Sequence, residues 1–381
     1  MFFKYLSLTQ LGFIIGLLCS PIANAAPEPS HRCAAANTIS KTFPSGATWQ
    51  LCAEIRPEEG LTLSQVYYAA PKKPARRVLG EASLSQLETV FDTETVPRYL
   101  VTQHGLGRNL QPLTATDCPN GSIKTMLQTK ALCRNTQEYG YQYKYQTQRQ
   151  GSFFELITHY NLAPQIYSVR WRFYENGIIE PAIGVSGQLS KAASNRLENF
   201  TLHAGWRLDF DLGATGSNDQ ILEVTSTPTE DRLRKRVSIA TIDREHARLE
   251  DPELKRLWMI RDGTTPYEGI SVPAYDLVPN QYTDSRLNPF SEPWLKWDIY
   301  FSKYNPCERY AADNRLNDCP AKNTHAVRYI SNKESIDGAD SVVWYKQTYH
   351  HIVRSDDALR LGTVWSSFQL VPRDWHSQNQ F

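Results

Sequence analysis

Alternation of apolar and polar residues is the feature that most restricts how this chain can fold. Residues 49–55 (WQLCAEI) alternate, and residues 61–67 (LTLSQVY) alternate again after a turn at residues 56–60. Because successive side chains of a strand point to opposite faces of a sheet, the two runs predict a hairpin of half-buried strands. Further β-rich runs, separated by turn residues such as Asn176-Gly177, occur at residues 153–158, 166–174, 178–189, 201–212, 294–300, 342–349 and 365–371.

Helical patterns are few. Residues 82–90 (ASLSQLETV) carry Leu84, Leu87 and Val90 at helical spacing behind Ser83, which suits a helix N-cap, and they predict a short helix. Residues 244–257 are charged and fit either a surface helix or a long loop. No repeat, low-complexity tract or flexible linker follows residue 48. The sequence therefore predicts one all-β domain over residues 45–381.

The first 25 residues have the pattern of a secretory signal peptide. Lys4 supplies a positive start, residues 11–18 form a short apolar run, and Ala23-Asn24-Ala25 is a cleavage site of small residues. We expect cleavage after Ala25, a loose segment at residues 26–44, and a secreted or periplasmic protein. The apolar run is too short for a membrane anchor, and no later stretch approaches a membrane span.

Six cysteines follow the leader, and along the chain they fall into three close pairs. An even number in an exported chain favours disulfides over a metal site, and no Cys-x-x-Cys spacing is present. Many pairings are possible, and we expect the local ones. These are Cys33 with Cys52, Cys118 with Cys133, and Cys307 with Cys319.

Composition argues against several classes of function. The net charge is +1 with lysine and arginine scattered, so nucleic acid is not expected as a partner. The sequence has no glycine-rich phosphate loop and no His-Glu-x-x-His or Gly-x-Ser-x-Gly motif.

Several segments, in order along the chain, resemble segments of the quinone-containing copper amine oxidases. They are residues 59–63 (EGLTL) with 78–84 (VLGEASL), 104–108 (HGLGR), 171–177 (WRFYENG), 207–211 (RLDFD), 257–260 (LWMI), 308–312 (ERYAA), and 344–354 with its Trp-Tyr, His-His and Arg. Each match alone is weak, but their shared order is specific. The resemblance implies a large antiparallel β-sandwich with a few short helices, the catalytic domain of that family without the small domains that usually precede it.

The family's reaction requires a tyrosine that is converted to a quinone. That tyrosine would stand at Gln165, counted back from Trp171, or at Leu162 if a short insertion is allowed. Neither side chain can become a quinone. We interpret the nearby Tyr160 and Tyr167 as ordinary strand tyrosines with hydroxyls in contact with water.

Three histidines hold copper in the family, two of them as His-x-His. Their places here are occupied by Phe200 and Leu202, while His351 matches the third histidine. His203 is displaced by one residue, which in a strand points it to the opposite face, so we interpret it as a structural histidine unless a bulge re-aims it. One imidazole does not hold Cu(II) at useful affinity.

The family's catalytic base is an aspartate, and its place here is Leu100. A leucine cannot abstract a proton. Arg98 stands where an aromatic gate is usual. With the quinone and copper positions also changed, we expect neither copper nor topaquinone in this protein.

Two features of the family are retained in the sequence. Cys118 and Cys133 match a disulfide close to its active-site wall. Acidic residues also match a second, non-catalytic metal site, where carboxylate and carbonyl oxygens suit a hard ion such as Ca²⁺. Its ligands would be the side chains of Asp209, Asp211 and Asp340 and the backbone carbonyls of Phe210 and Ser341. The alternative is that Asp209 and Asp211 are ordinary strand-end carboxylates.

The leading functional hypothesis is an exported, catalytically inactive copper amine oxidase-like protein that binds a small ligand or an unidentified protein partner. One alternative is an active primary amine oxidase whose site is misaligned or re-purposed. Another is a structural subunit of an envelope assembly. The resemblance also implies a homodimer.

Overall fold

The computed structural model describes residues 33–92, 98–146, 148–188, 198–213, 216–230, 233–263, 272–280, 292–312, 319, 325–355, 357 and 360–375. The predicted signal peptide, residues 1–25, lies outside them. The first ten strands are β1 Thr38–Thr42, β2 Thr48–Arg56, β3 Gly60–Ala69, β4 Arg76–Phe91, β5 Arg98–Tyr99, β6 Ser122–Met126, β7 Thr129–Lys144, β8 Gln148–Leu162, β9 Gln165–Tyr174 and β10 Ile179–Gln188. The next ten are β11 Phe200–Phe210, β12 Asp219–Pro228, β13 Lys235–Ile242, β14 His246–Arg248, β15 Leu257–Asp262, β16 Ala274–Val278, β17 Ile299–Lys303, β18 Ser341–His351, β19 Arg360–Ser367 and β20 Gln369–Arg373.

Helical segments are short throughout the described residues. One α-helical turn, α1, covers Ala326–Tyr329, and 3-10 turns cover Ala35–Asn37, Gly107–Asn109 and Pro293–Leu295. A single π-helical turn covers Leu100–His104. No helix of the described part of the chain is long and apolar enough to cross a membrane.

The strands form two antiparallel sheets. The first has nine strands in the order β1-β2-β3-β4-β11-β18-β17-β14, with β5 paired to β4. The second has eleven strands in the order β13-β12-β15-β16-β20-β10-β9-β8-β7-β6, with β19 paired to β10. The main core contains large side chains from both sheets, including Trp49, Trp171, Trp206 and Trp258. The predicted all-β sandwich with few short helices is confirmed.

The first sheet is covered on both faces. Every residue of β11 is buried. A strand with one face in contact with solvent would instead alternate between buried and exposed residues. One face of β11 packs in the main core, and the other faces a smaller apolar cluster. That cluster contains Trp294, Leu295, Ala326, Tyr329 and Trp344. Side chains on both faces of this strand are therefore inside the molecule.

The predicted hairpin is confirmed, because β2 and β3 pair in antiparallel register around the turn at residues 57–59. The strands predicted at 153–158, 166–174, 178–189, 201–212 and 342–349 correspond to β8, β9, β10, β11 and β18.

The helix predicted over residues 82–90 is wrong, because the segment belongs to strand β4. The register between β4 and β11 shifts so that Gly205 lies opposite Gln86 and Trp206 lies opposite Leu84. Ser85 is the extra residue of this bulge. The bulge turns Leu84 and Leu87, three residues apart, into the same core, and this spacing imitates a helix.

Other predicted boundaries differ from the structure. Residues 38–42 form edge strand β1, so the segment predicted as loose through residue 44 contains a strand paired with β2. The strand predicted at 294–300 begins at Ile299, after a 3-10 turn that starts with Pro293. Residues 365–371 are divided between β19 and β20 around Phe368, and residues 244–257 contain only the short strand β14 before β15.

Candidate functional site

The positions aligned with the copper histidines lie together at one end of the sandwich. Phe200, the first residue of β11, is directly opposite His351, the last residue of β18. The two rings stack with centroids 5.4 Å apart and an interplanar angle of 23°. Phe91 of β4 lies on the other side of Phe200, with ring centroids 5.9 Å apart. Aromatic carbon therefore fills the space beside the retained histidine.

Both ring nitrogens of His351 face protein groups. Nε2 lies 3.1 Å from Oδ2 of Asp357, and Nδ1 lies 3.5 Å from the Tyr349 hydroxyl. The same Asp357 oxygen accepts the backbone N–H of Arg354 at 2.7 Å. These contacts hold the imidazole in a hydrogen-bonded turn at the end of β18.

Leu202 and His203 lie on opposite faces of β11. Leu202 is buried in the main core. His203 points to the other side, where Nδ1 lies 3.0 Å from Thr348 Oγ1 and the ring meets Trp294 edge-on. Burial, with Lys346 nearby, lowers the pKa of His203 to about 3, so the imidazole is neutral. His203 does not replace a copper ligand on the core face.

The two positions proposed for the quinone tyrosine face each other across the β8–β9 turn. Leu162 pairs with Gln165, and both are buried. The hydroxyl of Tyr167 donates to Gln165 Oε1 at 2.6 Å and lies 2.9 Å from Thr89 Oγ1. Gln165 is thus a hydrogen-bonded core residue with no phenol ring to oxidise.

Tyr160 and Tyr167 are fully buried, so the expectation of hydroxyls in contact with water is wrong. The Tyr160 hydroxyl accepts the backbone N–H of Leu61 at 2.7 Å and the Thr158 hydroxyl at 2.8 Å. Protein partners replace water because both rings pack in the main core between the sheets.

The position of the catalytic base is also part of the core. Leu100 is fully buried at the start of the π-helical turn. Arg98, at the gate position, donates from its guanidinium to the carbonyl of Ala163 at 3.2 Å and to that of Leu162 at 3.4 Å. The arginine therefore binds the end of the β8–β9 hairpin.

The residues at this site do not fit copper or topaquinone. The donor set at the three metal positions is one imidazole with a phenyl ring and an isobutyl group, and neither hydrocarbon group can donate to a metal. The quinone position offers an amide or an alkyl side chain.

A second group of residues lies at the opposite end of β11. Asp209 and Asp211 come from the end of that strand, and Asp340 directly precedes β18, its neighbour. One carboxylate oxygen from each residue lies within 4.8 Å of the other two. The structure therefore brings together the three acids that the sequence proposed as ligands. Phe210 and Ser341, whose carbonyls complete the proposed set, are adjacent to them in the chain.

Asp219 is a further carboxylate beside this acidic cluster, and the sequence analysis did not identify it. It begins β12 in the second sheet, and its Oδ2 accepts the backbone N–H of Ser341 at 3.2 Å. Burial raises the pKa of Asp209 and of Asp219 well above the ordinary value, and neighbouring carboxylates add to the effect. No spacing in the sequence indicates Asp219, because β12 reaches the cluster only through the packing of the two sheets.

Positive charge compensates part of the acidic cluster. Arg77 Nε lies 3.3 Å from Asp211 Oδ2, and Arg207 lowers the pKa of Asp209 against the effect of burial. Burial nevertheless raises the pKa of Asp211 to about 6. Gly80 of β4 allows the Asp211 carboxylate to lie close to the β4 backbone, because a Cβ atom at residue 80 would be 2.3 Å from Asp211 Oδ2. The cluster is thus compact and still rich in negative charge when its acids ionise.

All three predicted disulfides are present. The Cα atoms are 5.9 Å apart for Cys33–Cys52, 5.5 Å for Cys118–Cys133 and 5.0 Å for Cys307–Cys319. The first joins the N-terminal segment to β2, and the second joins β7 to the segment that precedes β6.

The two antiparallel sheets have the architecture of the enzyme domain of copper amine oxidases. The chain belongs to the copper amine oxidase family: the family model described as copper amine oxidase, enzyme domain, matches residues 45–381.

Known relatives are distant in sequence and longer than this chain. The copper-containing diamine oxidase 1, peroxisomal, of Nicotiana tabacum is 21% identical over 92% of this chain and 51% of its own length. The primary amine oxidase of Arthrobacter sp. (strain P1) is 22% identical over 90% of this chain and 60% of its own length. The chain thus spans between 51% and 60% of these two proteins.

Solved structures share the fold. A copper-containing benzylamine oxidase from Hansenula polymorpha superposes with a TM-score of 0.72 and 15% identity, covering 87% of this chain and 59% of that one. The amine oxidase of Aspergillus nidulans gives a TM-score of 0.70 and 16% identity, covering 97% and 56%.

Proposed function

We propose that this protein is an exported, catalytically inactive member of the copper amine oxidase family that acts by binding. The observation that carries the proposal is the stack of Phe200 on His351, which puts hydrocarbon where copper ligands would have to converge. Leu202 and Leu100 extend the same apolar surface into the main core. The aligned positions therefore offer hydrocarbon in place of two metal donors and of the base that abstracts the proton.

The side chains at the aligned catalytic positions are buried, so small movements would not open a path for substrate to His351. Phe200, Leu202, Leu100 and Gln165 are each nearly inaccessible to solvent. Protein interiors are close-packed, so an amine substrate would have to displace these side chains before reaching His351. Ligand binding is accordingly proposed for surfaces of the domain other than this filled pocket.

The experiment is to incubate the purified protein with copper and oxygen, stain it for quinone redox cycling and assay peroxide release from primary amines. The primary amine oxidase of Arthrobacter, treated in parallel, is the positive control. We expect no quinone band and no peroxide above the buffer rate. A redox-cycling band on this chain, or amine-dependent peroxide, would establish the active oxidase instead.

We further propose that the cluster of Asp209, Asp211 and Asp340 holds a hard divalent cation such as Ca²⁺. Asp209 Oδ1 and Asp340 Oδ1 are buried without a hydrogen-bond partner among the described residues. Carboxylate oxygens in this arrangement repel one another unless they are protonated or share a cation. Carbonyl oxygens of Phe210 and Ser341 would complete the coordination.

Export is proposed from the leader pattern of residues 1–25 and is supported by the three disulfides. Disulfides persist in oxidising compartments, and the reducing cytosol keeps most thiols free.

A further inference from the structure

A cleft of about 380 Å³ opens on the face of the first sheet that points away from the main core, at the acidic end of β11. Its walls are the β2–β3 turn, Glu81 of β4, Arg207 of β11 and residues of the segment 304–309, which follows β17. Clefts of about 300–1,000 Å³ are the usual binding sites for small molecules in proteins. This cleft is therefore large enough to hold a small ligand.

Three arginines line the cleft, and each is held in place by a carboxylate. Glu81 Oε2 accepts from Arg56 Nη2 at 2.6 Å, and Glu81 Oε1 accepts from Arg207 Nη1 at 3.3 Å. Arg309 donates to the buried carboxylate of Glu59. A guanidinium has five N–H groups, more than these bonds occupy, so the fixed side chains of Arg56 and Arg207 can still donate to a ligand.

The lining also supplies fixed hydrogen-bond acceptors. Burial acts to raise the pKa of Glu81. Its hydrogen bond with Arg56 and the nearby charge of Arg207 outweigh that effect and lower the pKa, so the Glu81 carboxylate is ionised at neutral pH. Glu58 also lines the cleft, and its carboxylate accepts from Arg108, whose side chain is largely exposed. Donors and acceptors therefore stand side by side in one cleft.

The charges of the cleft compensate one another. It is lined by three arginines and two glutamates, and Glu59 behind the lining pairs with Arg309, so positive and negative groups are equal in number. Glu58 and Glu81 would oppose an anion in the cleft, and the three arginines would oppose a cation. A neutral ligand with many hydrogen-bonding groups meets neither opposition.

Part of the wall consists of rings. Tyr304 is 37% exposed, and the guanidinium of Arg207 lies 5.4 Å from the centroid of its ring. The backbone N–H of Tyr304 donates to the Asp340 carbonyl at 2.8 Å, which fixes the start of this segment. Pro57 and Pro306 add two further rings from two walls. A sugar ring has apolar C–H faces that pack against such rings, and its hydroxyl groups both donate and accept hydrogen bonds.

We propose that this cleft binds a neutral saccharide, with Tyr304 against a sugar ring and the lining arginines and glutamates bonded to its hydroxyl groups. Saccharide binding here rests on the proposed function, in which an inactive oxidase domain acts by binding. Hydrogen bonds from hydroxyls to charged groups are stronger than those between neutral groups. The salt bridges hold these groups in place before the ligand arrives, which lowers the entropy cost of binding.

The test titrates the full chain, at one fixed Ca²⁺ concentration, with the neutral sugars glucose, galactose, mannose, N-acetylglucosamine, maltose and cellobiose. Glucuronate, inorganic phosphate and glycine are the charged probes. Saturation-transfer NMR detects binding, and calorimetry measures the Kd. We expect at least one neutral sugar to bind, and Tyr304→Ala and Glu58→Gln each to weaken it on the order of tenfold. The matched controls Tyr145→Ala and Glu138→Gln change exposed residues of the β7–β8 hairpin in the other sheet and should leave the Kd unchanged.

Four results would overturn the proposal. They are no signal from any neutral sugar, binding of the charged probes alone, an unchanged Kd in both cleft variants, and an equal loss in Tyr145→Ala, which would place the sugar on the hairpin. If Tyr304→Ala fails to fold, Glu58→Gln decides the outcome, since it keeps the side-chain volume. Peroxide release from amines by the same preparation would overturn the proposed inactive function, whatever the sugar result. Absence of both peroxide and sugar binding would overturn the saccharide site alone.

Discussion

At the scale of single residues, the two ends of β11 differ in chemistry: one end is aromatic and the other is acidic. Phe200 occupies the space beside His351, and Asp357 accepts a hydrogen bond from the same imidazole when its Nε2 carries the proton. The acidic cluster at the other end of β11 has kept its carboxylates. The proposed loss of catalysis at one end of β11 and the proposed cation site at the other are therefore tested by different substitutions.

Calcium should stabilise the protein through the acidic cluster. A ligand that binds only the folded state stabilises it by about 2.7 kcal/mol at a hundred times its Kd. We expect added Ca²⁺ to raise the Tm of chelator-treated protein and Asp209→Ala to abolish the increase. Asp337→Ala, an exposed aspartate near Asp340, is the control and should retain it. Equal Tm values for the wild-type protein with and without Ca²⁺ would exclude the site.

Glu250 should make stability depend on pH. Burial is the main cause that raises the pKa of Glu250 from 4.5 to about 7, and Asp298 adds to it. The folded state thus keeps a proton that the unfolded state releases, so this contribution is full below about 4.5 and is lost as pH rises through 7.

The matched comparison is Glu250→Gln, which remains uncharged at every pH. Between pH 4.5 and 8 the wild-type protein should lose on the order of 2–3 kcal/mol of unfolding free energy relative to this variant. Denaturant titrations at the two pH values measure the difference, with the exposed Glu253→Gln as control. A constant difference between wild type and Glu250→Gln across this range would contradict the prediction.

At the scale of elements, the bulge in β4 determines how the central strands pack. The extra residue, Ser85, bonds through its hydroxyl to the Gly205 carbonyl at 2.9 Å. Gly205 lies beneath Trp294 and Ala311, where a Cβ atom would be 3.1 Å and 3.3 Å from their side chains and 3.0 Å from Ser85 Oγ. A methyl group at this position therefore fits only if these neighbours move by a few tenths of an ångström.

Gly205→Ala should destabilise the fold by about 1–3 kcal/mol, the usual cost of overpacking a core. Gly362→Ala in β19 is the control, because a Cβ atom there meets nothing within 4 Å. Thermal unfolding of the two variants compares them directly. An unchanged Tm for Gly205→Ala would contradict the prediction, because it would mean that Trp294 and Ala311 move away from the new methyl group at little cost in free energy.

At the scale of the whole molecule, the domain should form a two-fold symmetric dimer, as the family resemblance implies. Light scattering at micromolar concentration should report twice the mass of one chain, which is 43.5 kDa before removal of any leader. A single-chain mass at that concentration would refute the dimer.

Much of the architecture is determined by the sequence alone, because it depends on local pattern. Alternating residues predict the β2–β3 hairpin, and the spacing of the cysteines predicts three local disulfides, all of which the structure contains. The ordered family segments also place Asp209, Asp211 and Asp340 in one site, since strand alternation directs two of the acids to one face.

Only the tertiary structure decided the features that depend on which strands become neighbours. The β4 bulge imitates a helix in the sequence and is visible only in the register with β11. Asp219 approaches the acidic cluster from the other sheet, and Glu88 lies opposite His203 although the two residues are distant in the sequence. Residue pattern encodes the faces of a strand, whereas the partner on each face is selected by the packing of the whole sandwich.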